Sequence, residues 1–430
     1  MEALFSIPVI LKILIVFIVI VIANNYRIHL GLLGFLGAII LGLWIKLPLS
    51  DIFHIIIYSI FSLNTLLLSL VIFLILLLSS IMKKKNKMKE VVENFRGFFP
   101  SPKLTLATLP IIIGMLPMPG GAIFSAPLVD SFDPKHVLDN DKKSAINYFF
   151  RHTLELWWPL YPAVIFIIDI TNIQISQLIL LNLPLSIVLF VTGLIILLKG
   201  YHFDHLKNLQ INRKKFFLSI TPILIVIFCF IIILILLNLV PSNIKKINYF
   251  HTFKQYLPIL IGLIFSIAYL KYTEKNIDIK EDLKNFRKYN LVLVVIGIKV
   301  FANLIDQSHI ANLIVHELNF YNINFFFIIL FLPFLAGLVT GVGFAYVGIS
   351  FPIVLSLIPQ NLSSIQFLAY IMIADAAGYM GMMLSPMHIC MIVTGEYFKS
   401  TLLKIIKQIF PILVIFFIFA FIYFKFLLLL

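Results

Sequence analysis

The 430-residue chain is 61% hydrophobic, with a mean hydropathy of +1.07. Soluble domains hold roughly 45–50% apolar residues, so an ordinary water-soluble fold is excluded. The net charge of +14 does not mark a nucleic-acid binder, because the basic residues cluster between apolar runs as in a multi-span protein.

From the N-terminus, apolar stretches predict spans near 5–23, 28–46 and 64–82, with a further apolar arm at 51–62. Glu2 stands where a signal peptide carries basic residues, so the first stretch is expected to be a retained span. Lys83-Lys84-Lys85-Asn86-Lys87-Met88-Lys89 then leads into an amphipathic segment, 88–98, expected along the membrane interface. The next stretch is different: Gly114-Met115-Leu116-Pro117-Met118-Pro119-Gly120-Gly121-Ala122-Ile123-Phe124-Ser125-Ala126-Pro127 puts three prolines and three glycines inside an apolar run. In hydrocarbon such a break is tolerated only where it is buried in protein or lines a water-filled cavity. Its flanks are shorter than the roughly 20 residues a span needs, and a re-entrant hairpin at 102–130 is expected. Segment 141–170 is interrupted by Trp157-Trp158-Pro159-Leu160-Tyr161-Pro162 and reads as a discontinuous span. A span at 175–198 follows.

The second half repeats this plan at an offset of 224 residues, which carries Pro162 onto Pro386. The expected fold is an all-α membrane protein built as an inverted repeat. It has about 10–11 transmembrane helices, two re-entrant hairpins and two discontinuous helices. The first repeat, 1–199, holds scaffold spans at 5–98, a hairpin at 102–130, a broken span at 141–170 and a span at 175–198. The second, 215–430, holds scaffold spans at 216–321, a hairpin at 323–358, a broken span at 362–394 and a span at 399–429. Corresponding interruptions in two halves point to a transporter binding site. Placing 82–103, 130–143, 199–215, 271–288, 395–407 and Arg27 in the cytoplasm puts 25 of the 33 Lys and Arg there. That predicts a multi-pass cell-membrane (inner or plasma membrane) protein with an extracytoplasmic N-terminus.

Candidate site residues sit at these breaks. Tips rich in glycine and proline expose amides and carbonyls at half-helix ends, which suit anions and Na⁺. Pro119, Gly120, Gly121 and Ser125 would act in the first tip and Thr340, Gly341 and Gly343 in the second; glycine serving close helix packing is the alternative. Asn147, Arg151 and Glu155 fall at i, i+4 and i+8 on one helical stripe. Asp375 precedes Pro386 by the 11 residues that separate Arg151 from Pro162. Ionisable groups at membrane depth are functional candidates by default. Arg151 is suited to clamp a carboxylate or phosphate, and Glu155 or Asp375 to bind Na⁺ or exchange a proton. An Arg151 pair with Glu155 or Asp375 that only neutralises buried charge is the competing reading.

Ser385 and His388 lie in the second break, where His388 would donate to an anion, relay a proton, or simply satisfy a carbonyl. His152 is expected to point off the Arg151 face and be structural. Lys299 is expected to snorkel or to pair with Asp306, Trp157 and Trp158 to anchor at the interface, and Met380, Met382, Met383, Met387 and Met391 to pack. Cys229 and Cys390 offer neither a disulfide framework nor a metal motif. No G-x-S-x-G elbow and no P-loop occurs, so neither an enzyme nor an ATP-driven pump is expected.

Two inverted halves with paired hairpins and broken spans resemble the ion transporter superfamily, which includes dicarboxylate, citrate and gluconate carriers. Leu116-Pro117-Met118-Pro119-Gly120-Gly121-Ala122, Arg151-His152 with Trp157-Trp158-Pro159-Leu160-Tyr161-Pro162, and Ser385-Pro386-Met387-His388 look like domain-of-unknown-function family 401. That is a family of prokaryotic membrane proteins grouped with the superfamily. The resemblance covers nearly the whole chain and implies a scaffold domain, often dimerising, and a transport domain that moves like an elevator. Superfamily carriers with sodium sites use Ser-Asn-Thr triplets at their tips; here Phe124-Ser125-Ala126 and Val339-Thr340-Gly341 stand instead.

The expected function is therefore a secondary active transporter for a small anionic solute such as an organic acid. Coupling would be to H⁺ in preference to Na⁺, given Glu155, Asp375 and His388 beside hydroxyl-poor tips. An ion channel and a membrane-embedded enzyme are the alternatives. The expected partners are that solute or ion, the lipid bilayer and a second copy in a homodimer, with no nucleic acid and no cofactor beyond the coupling ion.

Overall fold

The computed structural model describes residues 7–26, 28–95, 101–117, 121–133, 137–199, 213–241, 250–274, 277, 290–308, 313, 316–317, 320–321, 324–359 and 361–430. All regular secondary structure among them is helical. The first apolar stretches form α1 (Val9–Asn25), α2 (Leu30–Trp44), α3 (Leu49–Phe61) and α4 (Leu63–Lys84), and the amphipathic segment forms α5 (Lys87–Phe95). Pro8 and Pro48 stand at the N-caps of α1 and α3, while the Ser62 hydroxyl caps α4 through the Thr65 amide.

The glycine- and proline-rich stretch separates α6 (Pro102–Gly114) from α7 (Ala122–Ser131). The discontinuous span is α8 (Asn140–Arg151) and α9 (Pro162–Thr171), followed by α10 (Ile175–Leu198). The second half continues with α11 (Arg213–Asn238), α12 (Phe250–Thr273), α13 (Asn290–Gln307), α14 (Phe325–Thr340), α15 (Gly343–Leu357), α16 (Ser364–Met383), α17 (Ile389–Phe398) and α18 (Leu402–Leu428). Segment 311–321, expected to match α5, lies mostly outside the described residues; within it, the Glu317 carboxylate accepts the Val9 and Ile10 amides at 2.7 and 2.9 Å.

Among the described residues, seven helices (α4, α10, α11, α12, α13, α16 and α18) are long and apolar enough to cross a membrane. Their surroundings agree with that. Leu11, Ile15, Val19 and Ile22 on α1 and Phe228, Ile231 and Leu236 on α11 are exposed, whereas Asn147, Asp169, Lys299 and Asp375 are buried. An apolar exterior around a polar interior inverts the arrangement of a soluble protein. This is a helical membrane protein.

Helices α6, α7, α14 and α15 have 13, 10, 16 and 15 residues, short of a roughly 20-residue span. They pack in pairs around the broken helices. α6 lies against α7 and α8, and α14 against α15 and α16; α9 packs on α15, and α17 on α7. Outside them, α2 packs on α13 and α4 on α12. Matching caps open the first broken-span helix of each half: Asp139 accepts the Lys142 amide at 2.6 Å, and Ser363 forms a capping box with Gln366. In the first turn of α8, Asp141 accepts from Ser400 and pairs with Lys404 at 3.2 Å, which holds its carboxyl below the usual range.

Two expectations about this region are corrected. Lys299 neither snorkels nor pairs with Asp306: its Nζ lies 2.7 Å from Asp169 Oδ2, and Tyr256 donates to the other carboxylate oxygen. The α9, α12 and α13 backbones bring the three together, a juxtaposition with no trace in spacing. Trp158 is buried, and its indole N–H donates to the Met115 carbonyl at 2.9 Å, so it ties the broken span to the end of α6 and is not an interfacial anchor.

Candidate functional site

The chain direction breaks in four places that meet. At the end of α6, proline and glycine stop the helix and leave carbonyls to be satisfied. The broken span supplies the donors: Tyr161 hydroxyl reaches the Gly114 carbonyl at 2.7 Å, beside the Trp158 bond to Met115. Between α8 and α9, Pro159 and Pro162 disfavour helical geometry at the residues before them, and 152–161 run as turns. Between α14 and α15, Gly341 adopts φ +64° as a left-handed C-cap. A Cβ there would lie 2.7 Å from the His388 amide nitrogen, so the α14–α15 turn passes close over the turn at 384–388.

The halves differ at their breaks. α8 stops at Arg151, whereas α16 runs two turns past Asp375 to Met383 before a short turn at 384–388. Pro162 is the first residue of α9, but Pro386 lies inside the turn, three residues ahead of α17. One proline interrupts a helix over fewer residues than two. The equal spacing of Arg151 and Asp375 from their prolines therefore does not give them equivalent places.

Where the breaks converge there is a cavity of about 400 Å³. Pro117, Arg151, His152, Glu155 and Tyr161 line it from the first half, and Gly341, Gly343, His388 and Cys390 from the second, with His29, Leu76 and Asn290 closing the side toward α2, α4 and α13. Of the residues singled out from sequence, Arg151, Glu155, Gly341, Gly343 and His388 line this space. Pro119 and Gly120 lie outside the described residues.

The others face elsewhere. Ser125 and Thr340 return their hydroxyls to their own helices, at the Ala122 and Ala336 carbonyls. Ser385 Oγ accepts the Met387 amide at 3.2 Å, holding the turn. Asn147 bridges Ala122 O and Thr394 Oγ1, at 3.2 and 2.9 Å. Asp375 is buried and accepts from Tyr346 at 2.7 Å and Asn182 at 2.9 Å, which satisfies both carboxylate oxygens away from the cavity.

Gly121 is there for space. A Cβ on it would lie 2.8 Å from Cζ of Arg151 and would overlap Nη2, so any side chain there would push the guanidinium from its place. Gly343 stands in the same relation to Glu155, whose Oε1 would be 2.8 Å from a Cβ there. Glu155 Oε2 is buried with no hydrogen-bond partner among the described residues and lies 4.0 Å from His152 Nε2.

His152 was expected to be structural, yet it forms part of the wall. Its Nδ1 lies 2.7 Å from the Tyr148 carbonyl, and its Nε2 lies 3.0 Å from His388 Nε2. A carbonyl only accepts, so Nδ1 of His152 carries the proton, Nε2 is the acceptor, and His388 Nε2 must donate. Placing His152 off the Arg151 face assumes that the helix continues; α8 ends at Arg151, and the turns redirect the ring. Cys390 was missed as well, because it lies 238 positions from His152 in the chain.

A family model described as "Protein of unknown function (DUF401)" matches residues 7–427. The chain belongs to that family. No curated protein matches it. The family description leaves the activity open, so for this DUF401 protein the functional reading rests on the cavity, whose charged lining comes from the motifs quoted above.

Proposed function

We propose that the protein is a secondary active transporter, of ion-coupled permease type, for a small anionic solute such as an organic acid. The observation that carries this is a solute-sized cavity walled by one guanidinium, one carboxyl and three imidazoles, between helix ends contributed by both halves. Ionisable groups inside a membrane protein are costly and face a cavity or one another. A guanidinium can hold a carboxylate or phosphate through paired hydrogen bonds. Glu155 and the histidine pair supply protonatable groups beside it, which favours H⁺ as the coupling ion over Na⁺, since the nearby hydroxyls of Ser125 and Thr340 are turned into their own helices.

The inverted repeat of the ion transporter superfamily is supported by reciprocal packing. Exchanging the halves turns the α9–α15 contact into α17–α7, α2–α13 into α12–α4, and α6–α8 into α14–α16. In this reading the short pairs α6/α7 and α14/α15 are re-entrant hairpins. With the broken helices they form a transport domain that slides against α2, α4, α12 and α13.

The test is uptake into proteoliposomes, with candidates chosen by a thermal-shift screen of organic acids with and without Na⁺. Saturable uptake with counterflow is expected for at least one acid, driven by an imposed pH gradient, and Arg151→Ala should abolish it while the protein remains monodisperse. Unchanged uptake in Arg151→Ala would remove the guanidinium from the site, and sustained ion currents in bilayers would replace the carrier with a channel.

A further inference from the structure

The cavity wall holds a second constellation, which shares His152 and His388 with the transport reading but is argued from its own geometry. His152, His388 and Cys390 are all buried, and one ligand atom from each lies within 4.8 Å of the others. We propose that His152 Nε2, His388 Nε2 and Cys390 Sγ form a three-ligand site for a borderline transition-metal cation of the Zn²⁺ class, with its fourth position open to the cavity.

The donor set selects this class. Imidazole and thiolate suit Zn²⁺ and its neighbours, whereas Mg²⁺ and Ca²⁺ take oxygen ligands. In a tetrahedral site with Zn–N near 2.0–2.1 Å and Zn–S near 2.3 Å, neighbouring ligand atoms stand roughly 3.3–3.6 Å apart. The two imidazole nitrogens are already 3.0 Å apart, and the whole set lies within 4.8 Å, so the ligands need to close by only about 1 Å to reach that geometry.

Three features beyond proximity point the same way. The Tyr148 carbonyl holds the Nδ1 proton of His152, the outer contact that aims Nε2 of a metal-binding histidine. Nδ1 of His388 is buried with no hydrogen-bond partner among the described residues, so that ring is free to shift its proton from Nε2 to Nδ1. Glu155 Oε2, without a hydrogen-bond partner among the described residues, stands 4.0 Å from the His152 ligand nitrogen, placed to accept from a water in the open position. Protons balance: the cation displaces the Cys390 thiol proton to solvent, and the proton between the rings moves to His388 Nδ1. Three protein ligands plus an open position are the arrangement of reactive zinc sites, in contrast to closed structural ones.

The test uses the full-length, tag-free protein in detergent, titrated with Co²⁺ as a spectroscopic stand-in and then with Zn²⁺. One equivalent of Co²⁺ should give intense tetrahedral ligand-field bands and a thiolate-to-cobalt charge-transfer band, both removed by Zn²⁺. Cys390→Ser, nearly isosteric, should lose the charge-transfer band, whereas Cys229→Ser should keep it. His388→Gln should weaken binding by at least about 10-fold. A six-coordinate spectrum, a charge-transfer band surviving in Cys390→Ser, or no binding by protein that retains its helicity and monodispersity would each overturn the proposal. None of these readouts involves solute uptake, so this site and the carrier reading fail separately.

Discussion

Arg151 shapes its surroundings as much as it charges them. Its guanidinium lies where a Cβ on Gly121 would have to go, and its carbonyl oxygen blocks a Cβ on Gly114. Overpacking a tight site costs about 1–3 kcal/mol, so Gly121→Ala should lower the melting temperature and reduce uptake together. If the guanidinium is the cause, truncating it should relieve the strain, and Gly121→Ala/Arg151→Ala should be more stable than the sum of the single changes predicts. Thermal melts of the four proteins in one detergent decide this; strict additivity would place the strain elsewhere.

At this scale the sequence was legible where a residue type was out of place. An arginine and a glutamate inside an apolar run mark themselves, and both line the cavity. Asp375 marked itself equally and was misleading, because its partners Asn182 and Tyr346 stand 193 and 29 residues away and carry no charge to announce the bond. His152 reaches the wall through a turn that no periodicity describes, and Cys390 reaches it from the first turn of α17.

Among elements, α9 is joined to α12 and α13 by the Asp169–Lys299–Tyr256 group. Both charges are buried. Removing one member of a buried pair leaves an uncompensated charge and costs about 3–5 kcal/mol, whereas replacing both by neutral groups is often close to neutral. Lys299→Met should therefore be strongly destabilised, and Lys299→Met/Asp169→Asn should recover most of the loss. Equal melting temperatures for the single and double variants would show that the pair contributes no net interaction. In the elevator reading α9 moves with the hairpins while α12 and α13 stay, so this pair fastens the end state seen here and must open during transport. Element positions themselves were well anticipated. Spans read at 64–82 and 175–198 became Leu63–Lys84 and Ile175–Leu198, because length and apolarity alone fix a membrane helix. The breaks were less legible, since a proline says where a helix falters but not over how many residues.

For the whole molecule, the decisive issue is whether the halves are inverted. Asp139 and Ser363 are separated by the 224-residue offset, each caps the first helix of a broken span, and both are exposed. If the halves are related by an axis in the membrane plane, these caps lie on opposite faces of the bilayer. The expectation from the basic residues is that Asp139 is cytoplasmic and Ser363 lies outside. Single cysteines at the two positions, in a Cys229→Ser chain whose remaining Cys390 is buried, report this with a membrane-impermeant thiol reagent. In intact cells Ser363→Cys should label while Asp139→Cys labels only after permeabilisation. Labelling of both from one side would make the repeat parallel. One of the single helices α10 to α13 that stand between the two caps would then have to stay on one face, although each is long and apolar enough to cross. The helix lengths and the charge pattern thus depend on the same inversion, and one labelling experiment tests both.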